Sequence, residues 1–462
     1  MERVLIKATP PKTGASVKVC GWVWGRRNHG QIIFIDLKDA SGIIQCVFLP
    51  NNDQVYKTAE TLRTGFVVEI IGQISERPKG MVNPDLATGK IELQVDNLIV
   101  LNESLTPPFA LDTDGLEISE ETRMKYRYLD LRRDRLQKNL RLRHRVIQFM
   151  RDWLNKHDFV EIETPIISKS TPEGARDYMV PSHQQPGKFY ALPQSPQQYK
   201  QLLMVAGFEK YFQIARCFRD EDTRGDRQPE FTQLDIEMSF VNQDDILNLI
   251  EKLYTDIIEK LFPEKKISQK PFPRLTYKEA MEKYGSDKPD LRKNKDDPDE
   301  LAFVFVLDWP MFEKKHGGSL GAMHHPFTLP KTDDIAKIKM TPLDIISYQH
   351  DFVLNGYEVG GGSIRIHRPE LLETIFEILG HTKEEIQNQF GHLLEAFKYG
   401  VPPHGGIAPG IDRFIMILAN EPNIREVFAF PKTGDGRDLM MDAPSEINEQ
   451  QLEELGLSVK KK

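Results

Sequence analysis

The chain has 462 residues, of which 39% are hydrophobic and 28% charged, and its formal net charge is −8. These values fit a soluble globular protein of two or three domains. The apolar runs are far shorter than the about 20 residues that a membrane-spanning helix needs, and the three cysteines are too widely spaced for a zinc site or a disulfide framework. We therefore expect a cytoplasmic protein with reduced thiols.

The negative charge is distributed unevenly along the chain. Residues 1–105 hold 12 Lys and Arg against 11 Asp and Glu, so nearly all the acidic excess lies further on. A protein that binds RNA through one or two local patches need not be basic overall. The net charge therefore does not exclude a nucleic-acid partner.

Residues 1–105 are predicted to form five short strands with glycine at the bends. The runs that indicate these strands are Val17–Val23, 32–37, 42–49, 66–72 and 91–100. Five short strands of this spacing are typical of a small barrel of the oligonucleotide-binding (OB) type, although another small antiparallel domain would fit as well.

A second, larger domain is predicted beyond a proline-rich hinge at 106–135. Residues 136–285 begin with a long amphipathic helix and then mix strands and helices, as in an α+β fold built on an antiparallel sheet. In 286–302, 10 of the 17 residues are charged, which predicts an exposed linker. Folded patterning resumes over 303–443, and 444–462 are predicted to be a loosely held tail.

One arginine leads from a predicted strand into a long charged loop. Arg219 could reach the α-phosphate of a nucleotide, and Gln228 and Phe231, further along this loop, could bind and stack an adenine. A solvated hairpin with surface ion pairs is the alternative.

A glycine-rich turn opens an apolar helix near Arg413. Glycines let a backbone approach a ligand, and a helix N-terminus favours an anion. A cation in the first helical turn is poorly placed for the helix dipole unless an anionic ligand lies nearby. The alternative is an ordinary helix start.

Two acidic residues flank the turn-forming pair Asn355-Gly356. On one continuous strand Asp351 and Glu358 would face opposite ways, whereas a hairpin at this turn would set them on adjacent strands. Carboxylates placed so could bind Mg²⁺ together with phosphates. Two unrelated surface acids are the alternative.

Adjacent histidines at 324 and 325 resemble a metal pair at first sight. Neighbouring histidines rarely converge on one ion, and no cysteine or third ligand is near. We therefore expect one histidine in a substrate pocket and one structural histidine.

Three segments resemble the signature motifs of class II aminoacyl-tRNA synthetases: Phe159 to Pro165, the arginine hairpin at Arg219, and Gly410-Ile411-Asp412-Arg413. Four further segments narrow the resemblance to aspartyl-tRNA synthetases of the bacterial type: Thr171 to Tyr178, Gln194 to Lys200, His324 to Thr328 and Gly356 to Arg365. Bacterial members usually carry a folded insertion between the two catalytic halves, and here only the charged linker occupies that place. A sister asparaginyl or lysyl enzyme, an amide-ligase paralogue and a non-catalytic RNA-binding protein are the alternatives.

The resemblance implies ATP-dependent activation of L-aspartate with Mg²⁺, transfer to the 3′ end of tRNA, and a homodimer. The implied catalytic residues are Arg219, Glu358 and Arg413. The implied aspartate-binding residues are Glu173, Gln197, Lys200, Arg219, Asp235, His324 and Arg365. The implied ATP-binding residues are Arg219, Asp220, Glu221, Gln228, Phe231, Glu358, Gly410, Ile411, Asp412 and Arg413. Asp351 and Glu358 would bind Mg²⁺.

Selection against asparagine cannot rely on size, because aspartate and asparagine have nearly the same shape. Lys200 and Arg365 are expected to be two buried cations that a neutral amide would leave uncompensated. The pocket should therefore reject asparagine without an editing site.

In the N-terminal barrel, the resemblance makes Phe34 a platform for an anticodon base, with Arg27, Gln45 and Glu92 as readers. A core position for Phe34 is the alternative. His29 and Gly80 match relaxed bacterial members, which charge both tRNA-Asp and tRNA-Asn. We therefore expect a non-discriminating enzyme, which implies an amidotransferase that converts Asp-tRNA-Asn to Asn-tRNA-Asn. A discriminating enzyme that charges tRNA-Asp alone is the alternative.

Overall fold

A computed structural model describes residues 1–170, 174–315 and 317–460. The chain divides into two compact units, one of Met1–Arg123 with Tyr128–Arg133 and one of Met124–Arg127 with Asp134–Lys462. Among the described residues, no helix combines the length and the apolar character needed to cross a membrane.

The first unit contains a closed five-stranded barrel, which confirms the predicted OB-type architecture. Its elements are β1 (Ser16–His29), β2 (Ile32–Asp39), β3 (Gly42–Phe48), α1 (Asp53–Thr61), β4 (Val67–Glu76) and β5 (Ile91–Asn102). The strand order is β1-β2-β3-β5-β4, and two short 3₁₀ turns, Ile6–Ala8 and Pro10–Lys12, precede it. Alternate residues of the strands, such as Ile33 and Ile35, fill the barrel core.

The second unit is built on an eight-stranded sheet of order β12-β14-β17-β18-β19-β10-β9-β6. Two short helices, α2 (Glu120–Lys125) and α3 (Arg127–Asp130), contain residues of both units. The helices within the second unit are α4 (Asp134–Asn155), α5 (Gln197–Val205), α6 (Gln243–Leu261), α7 (Tyr277–Tyr284), α8 (Ile335–Met340), α9 (Pro369–Ile378), α10 (Lys383–Phe397), α11 (Ile411–Leu418) and α12 (Glu449–Glu454). Its strands are β6 (Val160–Glu161), β7 (Met179–Pro181), β8 (Phe189–Ala191), β9 (Lys210–Phe218), β10 (Glu230–Ser239), β11 (Lys266–Ile267), β12 (Arg274–Thr276), β13 (Glu300–Leu301), β14 (Phe303–Leu307), β15 (Phe312–Lys314), β16 (Leu320–Ala322), β17 (Gln349–Leu354), β18 (Tyr357–Ile364) and β19 (His404–Pro409). Two further 3₁₀ turns are Pro342–Asp344 and Ile424–Val427.

The sheet is antiparallel except at its two ends, where β6 runs parallel to β9 and β12 parallel to β14. The α+β prediction is therefore confirmed. Helices α4 and α6 bury their apolar faces against this sheet, with Val146 and Met150 of α4 and Ile250 and Tyr254 of α6 in the main core. The spacing of four residues places each pair on one helix face.

The charged segment 286–302 is more ordered than an exposed linker. Its last residues form β13, which pairs with β11, and Leu301 is buried. The Glu300 carboxylate accepts the backbone N–H groups of Lys293 and Asn294, each at 2.9 Å, and the hydroxyl of Ser268, also at 2.9 Å. The sequence analysis predicted an exposed linker from the density of charged residues alone. That density does not show that a carboxylate such as Glu300 can accept hydrogen bonds from the backbone of its own loop. The predicted C-terminal tail likewise contains a short helix, α12.

Candidate active site

A cavity of about 550 Å³ lies in the second unit, above the centre of the sheet. It gathers most of the predicted site residues from α5, from β10 and the loop before it, from β18 and from the start of α11, whereas Asp351 of β17 does not line it. The predicted residues that line it are Gln197, Lys200, Arg219, Glu221, Gln228, Phe231, Asp235, His324, Glu358, Arg365, Gly410, Asp412 and Arg413. Glu173 lies outside the described residues.

Four charged side chains are buried together at the floor of this cavity, and three of them, Lys200, Asp235 and Arg365, line it. Lys200 Nζ lies 2.6 Å from Asp235 Oδ1 and 3.2 Å from Glu237 Oε2. Arg365 donates through Nε and Nη2 to both oxygens of Glu237, at 3.0 and 3.2 Å, and through Nη1 to Ser363 Oγ at 2.7 Å. The second oxygen of Asp235 is buried and accepts no hydrogen bond from any described residue.

Glu237 is the residue that the sequence analysis missed. It lies two positions after Asp235 on β10, so both side chains leave the strand on the same face. Although burial acts against its charge, Arg365 and Lys200 lower the pKa of Glu237 to about 2. Burial raises the pKa of Asp235, against the pull of Lys200. The expectation of two uncompensated cations was therefore wrong, because each cation already has an acidic partner.

The two histidines occupy different parts of the cavity wall. His324 packs edge-on against Trp309, and its Nε2 lies 4.0 Å from Asp351 Oδ2. His325 Nδ1 accepts the backbone N–H of Phe327 at 3.2 Å, while its Nε2 is buried and has no partner among the described residues. Burial and the charges of Arg365 and Lys200 hold the pKa of His325 well below its usual value. His325 is therefore neutral, with its proton on Nε2.

The arginine of the β9–β10 hairpin faces the cavity. The Arg219 guanidinium lies over the ring of Phe231, 5.0 Å from its centroid, and has no carboxylate partner among the described residues. Gln228 instead exchanges two hydrogen bonds with the backbone of Lys432, at 2.7 and 3.2 Å. Arg219 and Phe231 thus offer a free cation and an aromatic face.

Two members of the predicted ATP set do not line this cavity. Asp220 pairs with Arg176, through a backbone hydrogen bond of 3.0 Å and an ion pair of 3.5 Å. Ile411 is fully buried in the main core. Its side chain therefore cannot contact a ligand, although its backbone belongs to the first turn of α11.

The start of α11 positions Arg413 beside the β17–β18 hairpin. The Arg413 guanidinium donates to the backbone carbonyl of Glu358 and lies 3.3 Å from the Asp226 carboxylate. The preceding residue, Asp412, is buried and accepts the Thr232 backbone N–H at 2.7 Å. Asp412 thus serves the packing of this helix, while Arg413 projects into the cavity.

The Asn355-Gly356 turn does set Asp351 and Glu358 on adjacent strands. Both turn residues have positive φ, 51° and 84°, as a tight hairpin requires. A Cβ on Gly361 would lie 3.3 Å from Asp351 Oδ1 and 3.8 Å from Glu358 Oε1, so both carboxylates flank this glycine. Burial and the nearby charge of Glu358 raise the pKa of Asp351 to about 7, against the effect of His324.

Two carboxylates that repel each other at the edge of a phosphate site suit a divalent cation. Mg²⁺ is commonly held by one or two carboxylates together with substrate phosphates. The described residues contain no group of three or more potential metal ligands. The pair formed by Asp351 and Glu358 therefore fits a cation that arrives with a phosphate ligand.

In the barrel of the first unit, the predicted base readers form one hydrogen-bonded row. Arg27 makes a bidentate ion pair with Asp36, at 2.5 and 2.9 Å, and donates to Gln45 at 3.3 Å. Gln45 in turn donates to Glu92 at 3.0 Å. Asp36, which the sequence analysis did not single out, orients the arginine.

Phe34 is half-buried on the outer face of β2, between the core residues Ile33 and Ile35. It is therefore not a barrel core residue, and it pairs with Arg27 across the β1–β2 ladder. His29 ends β1 and is exposed. Gly80 has a φ of 92°, and a Cβ there would meet no atom within 4 Å.

The chain thus combines a closed OB-type barrel in one unit with a charged cavity in the other, an α+β unit. The family of class II tRNA synthetases (D, K and N) matches residues 119–434, and the OB-fold nucleic acid binding domain matches residues 17–101. The chain belongs to the class II tRNA synthetases of this family and is a ligase that forms aminoacyl-tRNA from amino acid, ATP and tRNA.

Similar curated proteins cover nearly the whole chain. An Aspartate--tRNA(Asp/Asn) ligase of Rubrobacter xylanophilus is 44% identical and covers 96% of this chain and 95% of its own. An Aspartate--tRNA ligase of Staphylococcus saprophyticus is 41% identical, over 96% of this chain and 97% of its own. The first alignment runs over 570 positions although this chain has 462 residues, so that relative has residues without a counterpart here.

Solved structures share the fold at low identity. Asparaginyl-tRNA synthetase from Pyrococcus horikoshii, complexed with asparaginyl-adenylate, has a TM-score of 0.76 at 23% identity and covers 94% of this chain and 98% of its own. Aspartyl tRNA synthetase from Entamoeba histolytica has a TM-score of 0.74 at 23% identity and covers 93% of this chain and 91% of its own. These likenesses support the architecture and do not distinguish the amino acid.

Proposed function

We propose that this ligase activates L-aspartate and transfers it to tRNA. The observation that carries the proposal is the floor of the cavity, where cationic donors and one unpaired carboxylate oxygen lie side by side. The free Oδ2 of Asp235 fits the substrate's ammonium group, and Gln197 and Glu173 are the further candidates for this role. Lys200 and Arg365 fit the side-chain carboxylate. The curated relatives named for aspartate support the same choice.

Donor geometry explains how a compensated pocket still selects an acid. Arg365 has five N–H groups. Three of them donate to Glu237 and Ser363, so two remain for a ligand. The Lys200 ammonium has three N–H groups. Two point to Asp235 and Glu237, so one remains. A carboxylate accepts at both oxygens, whereas the NH₂ of asparagine can only oppose a donor. We infer that this mismatch, rather than a bare excess of charge, rejects asparagine.

The first step joins aspartate to the adenosine phosphate. An oxygen of the α-carboxylate attacks the α-phosphorus of ATP, a P–O bond to the β-phosphate breaks, and pyrophosphate leaves. Arg219 would hold the α-phosphate and the attacking carboxylate, and Phe231, whose ring lies under the Arg219 guanidinium, would stack the adenine. Arg413 would hold the γ-phosphate. Such groups act by neutralising charge that develops at phosphorus.

The second step transfers the aspartyl group to tRNA. A hydroxyl of the terminal adenosine attacks the acyl carbon of the adenylate, and AMP leaves. Asp351 and Glu358 would hold Mg²⁺, which would supply positive charge that neutralises phosphate oxygens. Neither step needs a protein nucleophile.

ATP–pyrophosphate exchange tests the amino-acid assignment. We expect exchange with aspartate and none above background with asparagine or lysine. Exchange driven by asparagine or lysine, without aspartate, would contradict the proposal. Chelation with EDTA should abolish exchange, and added Mg²⁺ should restore it.

We also propose that tRNA-Asp and tRNA-Asn are both charged. The exposed His29 and Gly80 would leave the third anticodon base without a bulky or charged discriminator. A relative named Aspartate--tRNA(Asp/Asn) ligase supports this scope. Aminoacylation of separate transcripts tests it, and a preference for tRNA-Asp above about a hundredfold, roughly 2.7 kcal/mol, would show a discriminating enzyme.

A homodimer in the cytoplasm is inferred as well. The edge strand β6 and the chain after it expose apolar side chains, among them Val160 at 48%, Ile166 at 48% and Ile167 at 52%. Such a cluster beside an unpaired strand edge suits a second copy of the chain. Sedimentation at micromolar concentration should show a dimer, and a monomer alone would contradict the inference.

A further inference from the structure

Two distant chain segments build the ATP end of the cavity, Phe231 on β10 and Arg413 in the first turn of α11. We propose that Arg143, on α4, is a positioning residue that holds both segments in register for ATP through the Asp412 carboxylate. This inference rests on the proposed placement of ATP between Phe231 and Arg413.

Three groups form a closed hydrogen-bonded ring behind the cavity wall. Asp412 accepts the Thr232 backbone N–H at 2.7 Å with one oxygen and an Arg143 Nη1–H with the other. Arg143 Nη2 donates to Thr232 Oγ1 at 2.9 Å. Thr232 follows Phe231 in the chain, and Asp412 precedes Arg413. The ring therefore connects Phe231, the proposed adenine-stacking residue, to Arg413, the proposed γ-phosphate ligand, because each is one peptide unit away from a member of the ring.

Burial makes this ring stronger than a surface ion pair. The Asp412 side chain is 2% exposed and that of Arg143 17% exposed. The guanidinium also lies over the Phe428 ring, 5.7 Å from its centroid. Burial raises the pKa of Asp412, and Arg143 acts against that rise. A buried carboxylate that loses its cationic partner would have to protonate or turn towards water, and either change releases the strand from the helix.

The contacts of the ring predict which substrate would bind more weakly if Arg143 were replaced. Arg216 adds a second donor to Thr232 Oγ1 at 3.2 Å, so the strand keeps one support without Arg143. Among the described residues Arg143 is the only cation within ion-pair distance of Asp412, although the charge of Arg216 also acts to lower the pKa of this carboxyl. None of the described hydrogen bonds or ion pairs of Asp412 and Thr232 reaches Lys200 or Arg365. ATP binding should therefore depend on Arg143, while the aspartate pocket should not.

The test compares Arg143→Met, Arg143→Lys and the control Arg145→Ala, an exposed residue of the same helix. Calorimetric titration gives the Kd for ATP without amino acid, and pyrophosphate exchange gives the KM of each substrate. Circular dichroism monitors folding. The ATP titration is carried out without amino acid, so its result tests the role of Arg143 independently of the exchange assay. A wild-type enzyme that shows no exchange with aspartate would refute the proposed function and would leave the inference about Arg143 to the ATP titration.

We expect Arg143→Met to weaken ATP binding by about tenfold or more, equal to about 1.4 kcal/mol. Arg143→Lys keeps the charge but not the planar fork, so its Kd should lie between those of the wild type and the Met variant. The KM for aspartate and the binding of ATP by Arg145→Ala should not change. If Arg143→Met does not fold, Arg143→Lys decides the question. An unchanged Kd for ATP in a folded variant, or equal rises in both KM values with a lower Tm, would overturn the proposal.

Discussion

Replacing Arg365 with leucine should separate substrate recognition from the stability of the cavity floor. The substitution removes two hydrogen bonds to Glu237, at 3.0 and 3.2 Å, one of 2.7 Å to Ser363, and the two N–H groups left for a ligand. Glu237 would then remain buried with Lys200, 3.2 Å away, as its only ion-pair partner among the described residues.

Two magnitudes follow from these contacts. Breaking a buried pair by removing one partner costs about 3–5 kcal/mol of stability. Loss of a charge-assisted bond to the substrate costs about 1.5–3 kcal/mol, which corresponds to a roughly ten- to 150-fold lower kcat/KM for aspartate. The stability loss should therefore be large even where the enzyme still folds.

The double variant Arg365→Leu, Glu237→Gln distinguishes the two effects. The neutral amide removes a buried charge that has lost its arginine partner, so urea unfolding should recover part of the lost free energy while aspartate-dependent exchange stays low. Arg365→Lys should keep the positive charge but lose the planar set of N–H donors of the guanidinium, so its kcat/KM for aspartate should lie between those of the wild type and Arg365→Leu. If Arg365→Leu raised only the KM for ATP and left that for aspartate unchanged, the placement of this arginine in the aspartate pocket would be refuted.

Three further changes test other parts of the structure. Arg219→Ala should lower exchange by about 10²–10³-fold with an unchanged circular dichroism spectrum, because it removes charge neutralisation at phosphorus; near-normal exchange would remove it from the mechanism. The pKa of Glu237, about 2, lies below its ordinary 4.5, so its contribution to stability is complete above pH 4.5 and is lost as the pH falls towards 2. The free energy of unfolding in urea should be measured for the wild type and for Glu237→Gln at each pH, and the difference between them should fall as the pH is lowered towards 2. A difference that does not change with pH would contradict this prediction. Gly356→Ala should destabilise by more than about 1 kcal/mol, and by more than Gly436→Ala: both have positive φ, 84° and 81°, but only at 356 would the new Cβ meet a neighbour, at 3.3 Å from Asp290 Cβ.

Local patterns in the sequence were sufficient for much of the fold. Alternating apolar residues indicated the barrel strands, because side chains of a strand point to opposite faces. The Asn355-Gly356 pair indicated a hairpin, because both residues tolerate the positive φ that the turn requires. The resemblance to class II synthetases came from the order of short segments, and most of the residues named through it line one cavity.

Pairing between distant side chains was decided only by the tertiary structure. Arg365 and Glu237 are 128 positions apart, and Arg143 and Asp412 are 269 apart, so no local period connects them. The sequence contains each charge, but burial and the crossing of strands select which opposite charges meet. For this reason the sequence analysis could assign Lys200 and Arg365 to one site, and both line the cavity, whereas the acid that compensates them and the neutral state of His325 became visible only in the folded chain.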